Sequence, residues 1–265
     1  MTYGFIGTGN MGGALATAVA KHGETVYLAN RTPAKAEALS AKIGGTVCDD
    51  LTVVQTCDYI FLGVKPQRME EALKPLQQAL SQRSGGSFVL VSMAAGLSIS
   101  SIQKMAGGDY PVIRIMPNTA CAVGQGMTLY CCSENVGAGQ LATFLDAMSA
   151  SGELEELSES LIDAGSAVSG CGGAFACLFL EGLADGGVAI GLPREKALRF
   201  ARQMLLGTAL LAKETGEHPG QMKDAICSPG GTTIAGVRAL ENKGFRGAAM
   251  DAVIAAFERT NELKK

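Results

Sequence analysis

The sequence predicts an α/β fold in its first half, built on a parallel sheet, and an all-helical second half. Short β-forming runs alternate with helical patterns in the first half, which is the order of βαβ units. A glycine-rich segment, residues 7–12, directly follows the first of these runs. From about Ser158 the β-forming runs disappear and Ala, Leu and Gly dominate. We therefore expect two domains, residues 1–157 and residues 158–265.

Five β-rich runs define the expected parallel sheet, and they lie at residues 3–6, 25–28, 59–62, 88–91 and 112–115. Residues 152–157 alternate polar and apolar side chains and predict a last edge strand before the boundary. In the second half, Leu192-Pro193, His218-Pro219 and Ser228-Pro229-Gly230-Gly231 are expected to separate helices.

Composition limits the classes of function. The chain has 265 residues, of which 47% are hydrophobic, so general disorder is excluded. Its 22 basic and 25 acidic residues form no electrostatic footprint for nucleic acid or anionic lipid, and a small-molecule partner is expected. Eight cysteines without a CxxC pair, together with two histidines, predict no metal site and no disulfide framework. The absence of a signal-peptide pattern favours the reducing cytoplasm.

The most apolar segment, residues 164–192, is rich in glycine and contains Glu181 and Asp185. These charges favour a buried helix over a membrane span. Because small residues allow close helix packing, we expect a homodimer or higher homo-oligomer formed through the helical half.

The segment Gly7-Thr8-Gly9-Asn10-Met11-Gly12 fits the dinucleotide fingerprint GxGxxG and opens a helical pattern. Glycines permit a tight turn and a close approach of backbone amides to a pyrophosphate. About twenty residues later, Asn30-Arg31-Thr32 stands where an acidic residue would bind the ribose of NAD. Donors and a fixed positive charge suit a 2′-phosphate instead, so NADPH is the expected cofactor and NADH the alternative.

Ligands of parallel sheets bind beyond the carboxyl ends of the strands. Three further loops are therefore candidate cofactor contacts: Gly63-Val64-Lys65-Pro66, Met93-Ala94-Ala95-Gly96 and Met116-Pro117-Asn118-Thr119. Asn118 is a candidate to hold a carboxamide. Lys65 fits a surface lysine before a turn equally well.

In the second half, Ser228-Pro229-Gly230-Gly231-Thr232-Thr233 turns between two helices. The pattern fits a capped helix start. It also fits a site where free amides and hydroxyls hold a small carboxylate. The residues alone leave both interpretations open.

Several motifs together resemble the pyrroline-5-carboxylate reductase family, nearly from end to end. They are Gly4-Phe5-Ile6-Gly7 with the fingerprint, Val64-Lys65-Pro66, Ala94-Ala95-Gly96, Ser169-Gly170, Ala184-Asp185-Gly186-Gly187-Val188, Gly191-Leu192-Pro193-Arg194, His218-Pro219-Gly220-Gln221 and Ser228-Pro229-Gly230-Gly231. The resemblance implies a Rossmann domain with Ile6 at its cofactor site, a helical domain that dimerises by interlocking, and a substrate carboxylate held by Ser228, Gly230, Gly231 and Thr232. It also implies that Thr233 contacts the imine nitrogen as the catalytic group.

The sequence departs from the common family pattern at a few positions. Asp50 stands near the expected adenosine position, where asparagine is frequent in the family. The other departures are Ala120, Cys171, Gly173, Phe175 and Cys227. None of them replaces Ser228, Gly230, Gly231 or Thr233 of the expected substrate loop. We therefore expect the departures to affect cofactor affinity.

The reaction implied is hydride transfer from NADPH to a cyclic imine carboxylate, yielding proline. A related alternative is an enzyme like the hydroxyacid dehydrogenases, or another NADP-dependent imine reductase. The lysine that a hydroxyacid dehydrogenase needs is missing, because no Lys or Arg occurs between Glu153 and Pro193. A nonenzymatic NADP-binding sensor is a further alternative, but it has no need of a carboxylate loop.

Overall fold

The structure is a computed structural model that describes residues 1–83 and 87–263. Its strands are β1 (Thr2–Ile6), β2 (Thr25–Ala29), β3 (Thr46–Val47), β4 (Tyr59–Leu62), β5 (Val89–Ser92), β6 (Val112–Met116), β7 (Gly126–Cys132) and β8 (Gly152–Glu156). The last two residues of the expected helical domain, 264 and 265, lie outside the described range.

The helices follow the expected alternation. Those of the first half are α1 (Asn10–His22), α2 (Pro33–Ile43), α3 (Asp50–Thr56), α4 (Met69–Leu73), α5 (Gln77–Ser81), α6 (Ile99–Ala106) and α7 (Ala138–Met148). Those of the second half are α8 (Glu159–Ser169), α9 (Gly172–Ala189), α10 (Arg194–Thr215), α11 (Pro219–Ile226), α12 (Thr232–Asn242) and α13 (Phe245–Leu263). No strand occurs after β8 in the described residues, and each predicted break separates two helices, with Pro219 as the first residue of α11.

The strands form one sheet in the order β3-β2-β1-β4-β5-β6-β7-β8. Pairing is parallel throughout except between β6 and β7, which are antiparallel. The expected Rossmann-type fold is thus confirmed, and the five predicted strands are parallel. The antiparallel strand, β7, is not one of the predicted runs. A short 3₁₀ turn, Thr119–Val123, joins β6 to β7 in place of a crossover helix, and such a short connection permits only an antiparallel neighbour.

Two hydrophobic cores lie on opposite faces of the sheet. One is covered by helices that include α3 and α6, and Ile162 of α8 is fully buried in it. The other is covered by α1 and α7, with Phe144 fully buried. The rings of Phe5 on β1 and Phe61 on β4 stack with their centroids 4.3 Å apart. The strand order of the sheet reverses between these two strands.

The chain divides into two compact units. The first contains Met1–Cys171 and the described residues from Ala256 onward, and the second is Gly172–Ala255. This division falls after α8, whereas the sequence predicted a boundary before it. The physical reason is that α8 packs on the sheet through Ile162 and pairs Asp163 with Arg114 of β6.

Within the second unit, α9 and α10 pack closely. A methyl group on Gly187 of α9 would lie 3.0 Å from the Cβ of Ala197 on α10, and Arg194 forms an ion pair with Asp185. The expectation that residues 164–192 form a buried helix is wrong for the single chain. Of the α9 residues only Ala184 is buried, and Leu178 is 71% exposed.

The helical stretch Glu159–Ala189 is long and apolar enough to cross a membrane, with a mean hydropathy of 1.5, and 11% of its most apolar window is buried. Length and composition alone define this match.

Candidate active site

The carboxyl ends of the parallel strands bring the predicted cofactor loops to one edge of the sheet. β1 lies between β2 and β4, so the chain leaves β1 and β4 towards helices on opposite faces. In sheets of this topology, dinucleotides bind in the crevice where the strand order reverses, which here lies between β1 and β4.

The glycine-rich loop after β1 is tightly folded. Gly7 has a φ of 100°, a conformation that favours glycine, and its amide donates to Ala29 O at 2.8 Å. A methyl group on Gly12 would lie 2.2 Å from Gly7 O. Gly7 and Gly12 are therefore needed to bring α1 close to β1.

The start of α1 has the properties of an anion site. Its N-cap, Gly9, supplies no side-chain hydrogen bond, and no acidic residue occupies the first turn, which contains Asn10 and Met11. A methyl group on Gly9 would meet no atom within 4 Å. Thr8 Oγ1 is buried without a hydrogen-bond partner among the described residues. Free amides, open space and an unpaired hydroxyl together fit a dinucleotide pyrophosphate.

The side chain of Asn30 forms two hydrogen bonds within the protein. Its Oδ1 accepts from Thr8 N at 3.1 Å, and its Nδ2 donates to Thr32 O at 3.0 Å. The side chain thus joins the glycine-rich loop to the end of β2 and uses one of its two Nδ2 hydrogens in doing so. That Asn30 also contacts the cofactor stays a prediction. Arg31 and Thr32 are exposed, and within the described chain their side chains have no recorded partner.

Asp50 begins α3, directly after β3, and lies at the same edge of the sheet. Burial, followed by the charge of Asp49, raises the pKa of the Asp50 carboxyl. Asp49 is the N-cap of α3 and accepts from Thr52 N at 2.7 Å, and this hydrogen bonding lowers its pKa. The two neighbouring carboxyl groups are therefore shifted in opposite directions.

The loop after β4 touches the glycine-rich loop. Gly63 N donates to Ile6 O at 2.8 Å, and a methyl group on Gly63 would lie 2.3 Å from Gly7 O. Lys65 is exposed and has no ion-pair partner in the described range, while Val64 and Pro66 are partly buried. The loop after β5 contains buried Ala94, exposed Ala95 and partly buried Gly96.

Asn118 is held by the protein itself. Its Oδ1 accepts from Met127 N at 3.3 Å, and its Nδ2 donates to Ser169 O at 3.1 Å. Because both ends of the amide are engaged, the expectation that Asn118 holds a carboxamide is not supported by its orientation. It connects β7 and the end of α8 to the loop after β6.

The loop before α12 stands in the second unit. Gly231 is the N-cap of α12 and supplies no side-chain hydrogen bond, so the expected alternative of a side-chain-capped helix start is wrong. Gly230 has a φ of 68°, and Gly231 N donates to Ser228 O at 3.0 Å. Ser228 Oγ would be 2.3 Å from a methyl group on Gly231, which places this hydroxyl at the helix start.

The amides of Thr232 and Thr233, and both threonine hydroxyls, have no recorded hydrogen-bond partner within the described residues. The macrodipole of α12 adds partial positive charge at this end. Exposed hydroxyls and unpaired amides on a glycine turn suit a small carboxylate.

One buried polar cluster was not predicted from the sequence. Arg114 of β6 is 2% exposed and lies 2.6 Å from Asp163 and 3.6 Å from Glu159, both on α8. An arginine inside the apolar run Val112-Ile113-Arg114-Ile115-Met116 is a signal that a buried partner exists. Two acids four residues apart, on one helix face, are the matching signal.

The fold, together with the anion site at the start of α1, defines a Rossmann-type nucleotide-dependent oxidoreductase. Residues 2–96 match a family model described as NADP oxidoreductase coenzyme F420-dependent, and residues 159–263 match one described as pyrroline-5-carboxylate reductase dimerisation. The chain belongs to the pyrroline-5-carboxylate reductase family.

Two relatives and one solved structure illustrate this membership. The pyrroline-5-carboxylate reductase of Escherichia coli K12 is 38% identical over 99% of this chain and 98% of its own. That of Pisum sativum is 40% identical over 99% of this chain and 96% of its own. The crystal structure of Plasmodium falciparum pyrroline carboxylate reductase with NADP bound has 31% identity and a TM-score of 0.89, covering 100% of this chain and 98% of that one.

Proposed function

We propose that the protein reduces 1-pyrroline-5-carboxylate to L-proline with NADPH. The observation that carries this proposal is the uncapped start of α12, where the loop from Ser228 to Thr233 presents unpaired amides and hydroxyls. An NADP-binding sensor has no use for such a carboxylate site. Relatives with the same named activity cover almost the whole chain.

On the cofactor side, the amides at the start of α1 and the hydroxyl of Thr8 bind the pyrophosphate. Arg31, with the hydroxyl of Thr32, binds the 2′-phosphate. The loops containing Gly63 to Pro66 and Ala94 to Gly96 lie along the nicotinamide half. When bound, NADPH supplies the hydride for C5 of the imine.

On the substrate side, Ser228 and the amides of Gly230 to Thr232 hold the carboxylate. Thr233 places its hydroxyl at the ring nitrogen, where it orients the ring and relays a proton as the nitrogen becomes an amine. A protonated imine needs mainly positioning, which agrees with a chain that has two histidines. One of them, His218, is engaged as the N-cap of α11.

The assay measures NADPH oxidation with 1-pyrroline-5-carboxylate and identifies proline as the product by mass spectrometry. Proline formed in equal amount to NADPH consumed supports the proposal. Binding of NADPH without turnover would indicate the sensor, and turnover of a hydroxy acid instead would indicate the hydroxyacid-dehydrogenase alternative.

We also propose that a second copy of the chain covers the exposed apolar side chains of the helical region, forming at least a homodimer in the cytoplasm. The match of residues 159–263 to a dimerisation model supports this arrangement. A membrane or nucleic acid is not the proposed partner, because Glu181 and Asp185 interrupt the apolar stretch and the net charge is −3.

Light scattering at micromolar concentration tests the oligomer. Leu178→Arg, at a residue that is 71% exposed on α9, should shift the mass towards the monomer, whereas the control Leu51→Arg on α3, 43% exposed, should not. A folded, active monomer of the unaltered chain would contradict the proposed assembly.

A further inference from the structure

Helix α8 is hydrogen-bonded at both of its ends to loops that lie on the proposed nicotinamide side. At its first residue, Glu159 Oε1 accepts from Ile99 N at 2.6 Å. At its last residue, Ser169 O accepts from Asn118 Nδ2 at 3.1 Å. A single helix therefore connects the segment after β5 with the segment after β6.

The contact of Glu159 fixes the start of α6. Ile99 is the first residue of α6 and follows the loop that contains Ala94 to Gly96. Its amide is one of the helix-terminal donors that no backbone carbonyl satisfies, and a carboxylate acceptor is favourable at this end of a helix. Ser98 is the N-cap of α6 and accepts from Ser101 N, and the oxygen of Glu159 tethers this capped helix start to α8.

The contact of Asn118 fixes the other loop. Because Asn118 also accepts from Met127 N, one side chain holds the loop after β6 between β7 and α8. An aspartate of the same size would keep an acceptor for Met127 N and lose the donor for Ser169 O.

The middle of α8 is anchored to the sheet. Arg114 pairs with Asp163 at 2.6 Å and lies 3.6 Å from Glu159, and Ile162 is fully buried. The helix is therefore fixed in its register on the sheet, which is what a positioning element requires.

We propose that α8 positions the nicotinamide half of the cofactor site, with Glu159 and Asn118 as its positioning residues. The inference rests on the proposed use of NADPH. By sequence α8 is the first helix of the dimerisation region, yet in the fold it belongs to the unit that contains the sheet.

The test compares Glu159→Ala, Glu159→Gln and Asn118→Asp in the full-length protein, using the dissociation constant of NADPH alone. Glu159→Ala should raise this constant about three- to tenfold. The substitution removes one charge-assisted hydrogen bond, and only part of the lost free energy should appear as weaker NADPH binding. Glu159→Gln should restore it to within about twofold, because its amide oxygen still accepts from Ile99 N. Asn118→Asp should weaken binding in the same direction as Glu159→Ala.

Hydrogen exchange provides a second readout at the loop itself. In Glu159→Ala, amides of the segment that contains Gly96 and Ile99 should exchange faster, whereas Ser160→Ala should leave them unchanged. Ser160 is a matched control in the same helical turn: it is exposed, and among the described residues its hydroxyl is hydrogen-bonded to that of Ser158.

Unchanged NADPH affinity in folded Glu159→Ala and Asn118→Asp overturns the inference, and so does a Gln variant no better than Ala. These measurements need no imine. Wild-type protein that binds NADPH but makes no proline would contradict the proposed function and leave the variants to decide the role of α8. Wild-type protein that does not bind NADPH would contradict both.

Discussion

Arg114 in the middle of β6 and Asp163 on α8 form an ion pair of 2.6 Å, and their side chains are 3% and 5% exposed. Removing one partner of a buried pair costs about 3–5 kcal/mol when the remaining charge has no other partner. Here Glu159 lies 3.6 Å from Arg114 and keeps part of the compensation. We therefore expect Asp163→Asn to lower the free energy of unfolding by at most about 3–5 kcal/mol in urea denaturation.

The control is an exposed pair in the same unit. Arg68 and Glu71 lie 2.8 Å apart with side chains 40% and 68% exposed. Solvent screening reduces the value of such pairs to between about 0 and 1 kcal/mol, so Glu71→Gln should change stability little. Equal effects of the two substitutions would show that burial does not control the strength of the Arg114 pair.

This pair also shows what sequence could and could not predict. Periodicity and the fingerprint predicted the Rossmann-type half, because they depend on local residue patterns. The pairing of Arg114 with Asp163 was not predicted from the sequence, since a contact across 49 residues depends on how α8 packs on the sheet. The placement of α8 relative to the domain boundary depends on the same long-range packing.

Side-chain amides were the least predictable part of the candidate site. Asn30 and Asn118 stand where cofactor contacts were expected, yet each is engaged by backbone groups of the protein. An amide has both donors and acceptors, so its residue type does not determine which partner it takes. β7 was not predicted because βαβ alternation places a crossover helix between successive strands, and none separates β6 from β7.

Substitutions at two glycines of the fingerprint, Gly12 and Gly9, should affect stability and cofactor binding separately. Gly12→Ala places a methyl group 2.2 Å from a backbone oxygen of Gly7, so we expect the free energy of unfolding to fall by about 1–3 kcal/mol. Gly9→Ala meets no atom within 4 Å and should cost less than about 1 kcal/mol. Its methyl group fills the open space before the α1 amides, so NADPH affinity should fall by about tenfold or more.

Urea denaturation and NADPH titration of the same two variants check this expectation. Gly9→Ala with unaltered NADPH affinity would show that the pyrophosphate does not lie against this loop.

Arg31→Ala should weaken NADPH more than NADH. The guanidinium is exposed, without a recorded partner in the described chain, and a charge-assisted contact to a phosphate is worth about 1.5–3 kcal/mol. We therefore expect a loss of about 10- to 100-fold for NADPH and a small change for NADH. Lys42→Ala, at an exposed lysine in the last turn of α2, is the control. An NADPH-to-NADH affinity ratio that Arg31→Ala does not alter would reject the assignment.

Asp50 should make stability depend on pH with a sign opposite to that of Asp49. Burial raises the pKa of Asp50 in the fold, so the folded state binds its proton more tightly and the carboxylate destabilises the fold above that pKa. Asp50→Asn should therefore raise the melting temperature at neutral pH, and the gain should shrink as pH falls through the raised pKa.

For Asp49, hydrogen bonding to Thr52 lowers the pKa, so its stabilising contribution is present above the unfolded-state pKa and lost as pH falls through the folded-state pKa. Asp49→Asn should lower the melting temperature at neutral pH, with the difference disappearing on acidification. The same sign for both variants would contradict the opposite environments of the two carboxyl groups.

Thr233→Val should lower the turnover number while leaving the fold intact. Valine keeps the shape of the side chain and removes the hydroxyl, which has no recorded hydrogen-bond partner in the described structure. General acid assistance is typically worth about 10²- to 10⁴-fold, and we expect a loss of kcat in this range. Because α12 has no side-chain cap, the substitution removes no helix-capping contact, so the melting temperature should change little.

The control is Thr208→Val on α10, where the hydroxyl donates to Met204 O. Thr208 is not part of the expected substrate loop. It should leave kcat unchanged. Steady-state kinetics and thermal unfolding of both variants distinguish the roles, since a structural threonine would change the melting temperature without changing kcat. A Thr233→Val protein with normal kcat would reject the catalytic role, and one with normal kcat but a raised KM would reduce Thr233 to a contact for substrate binding.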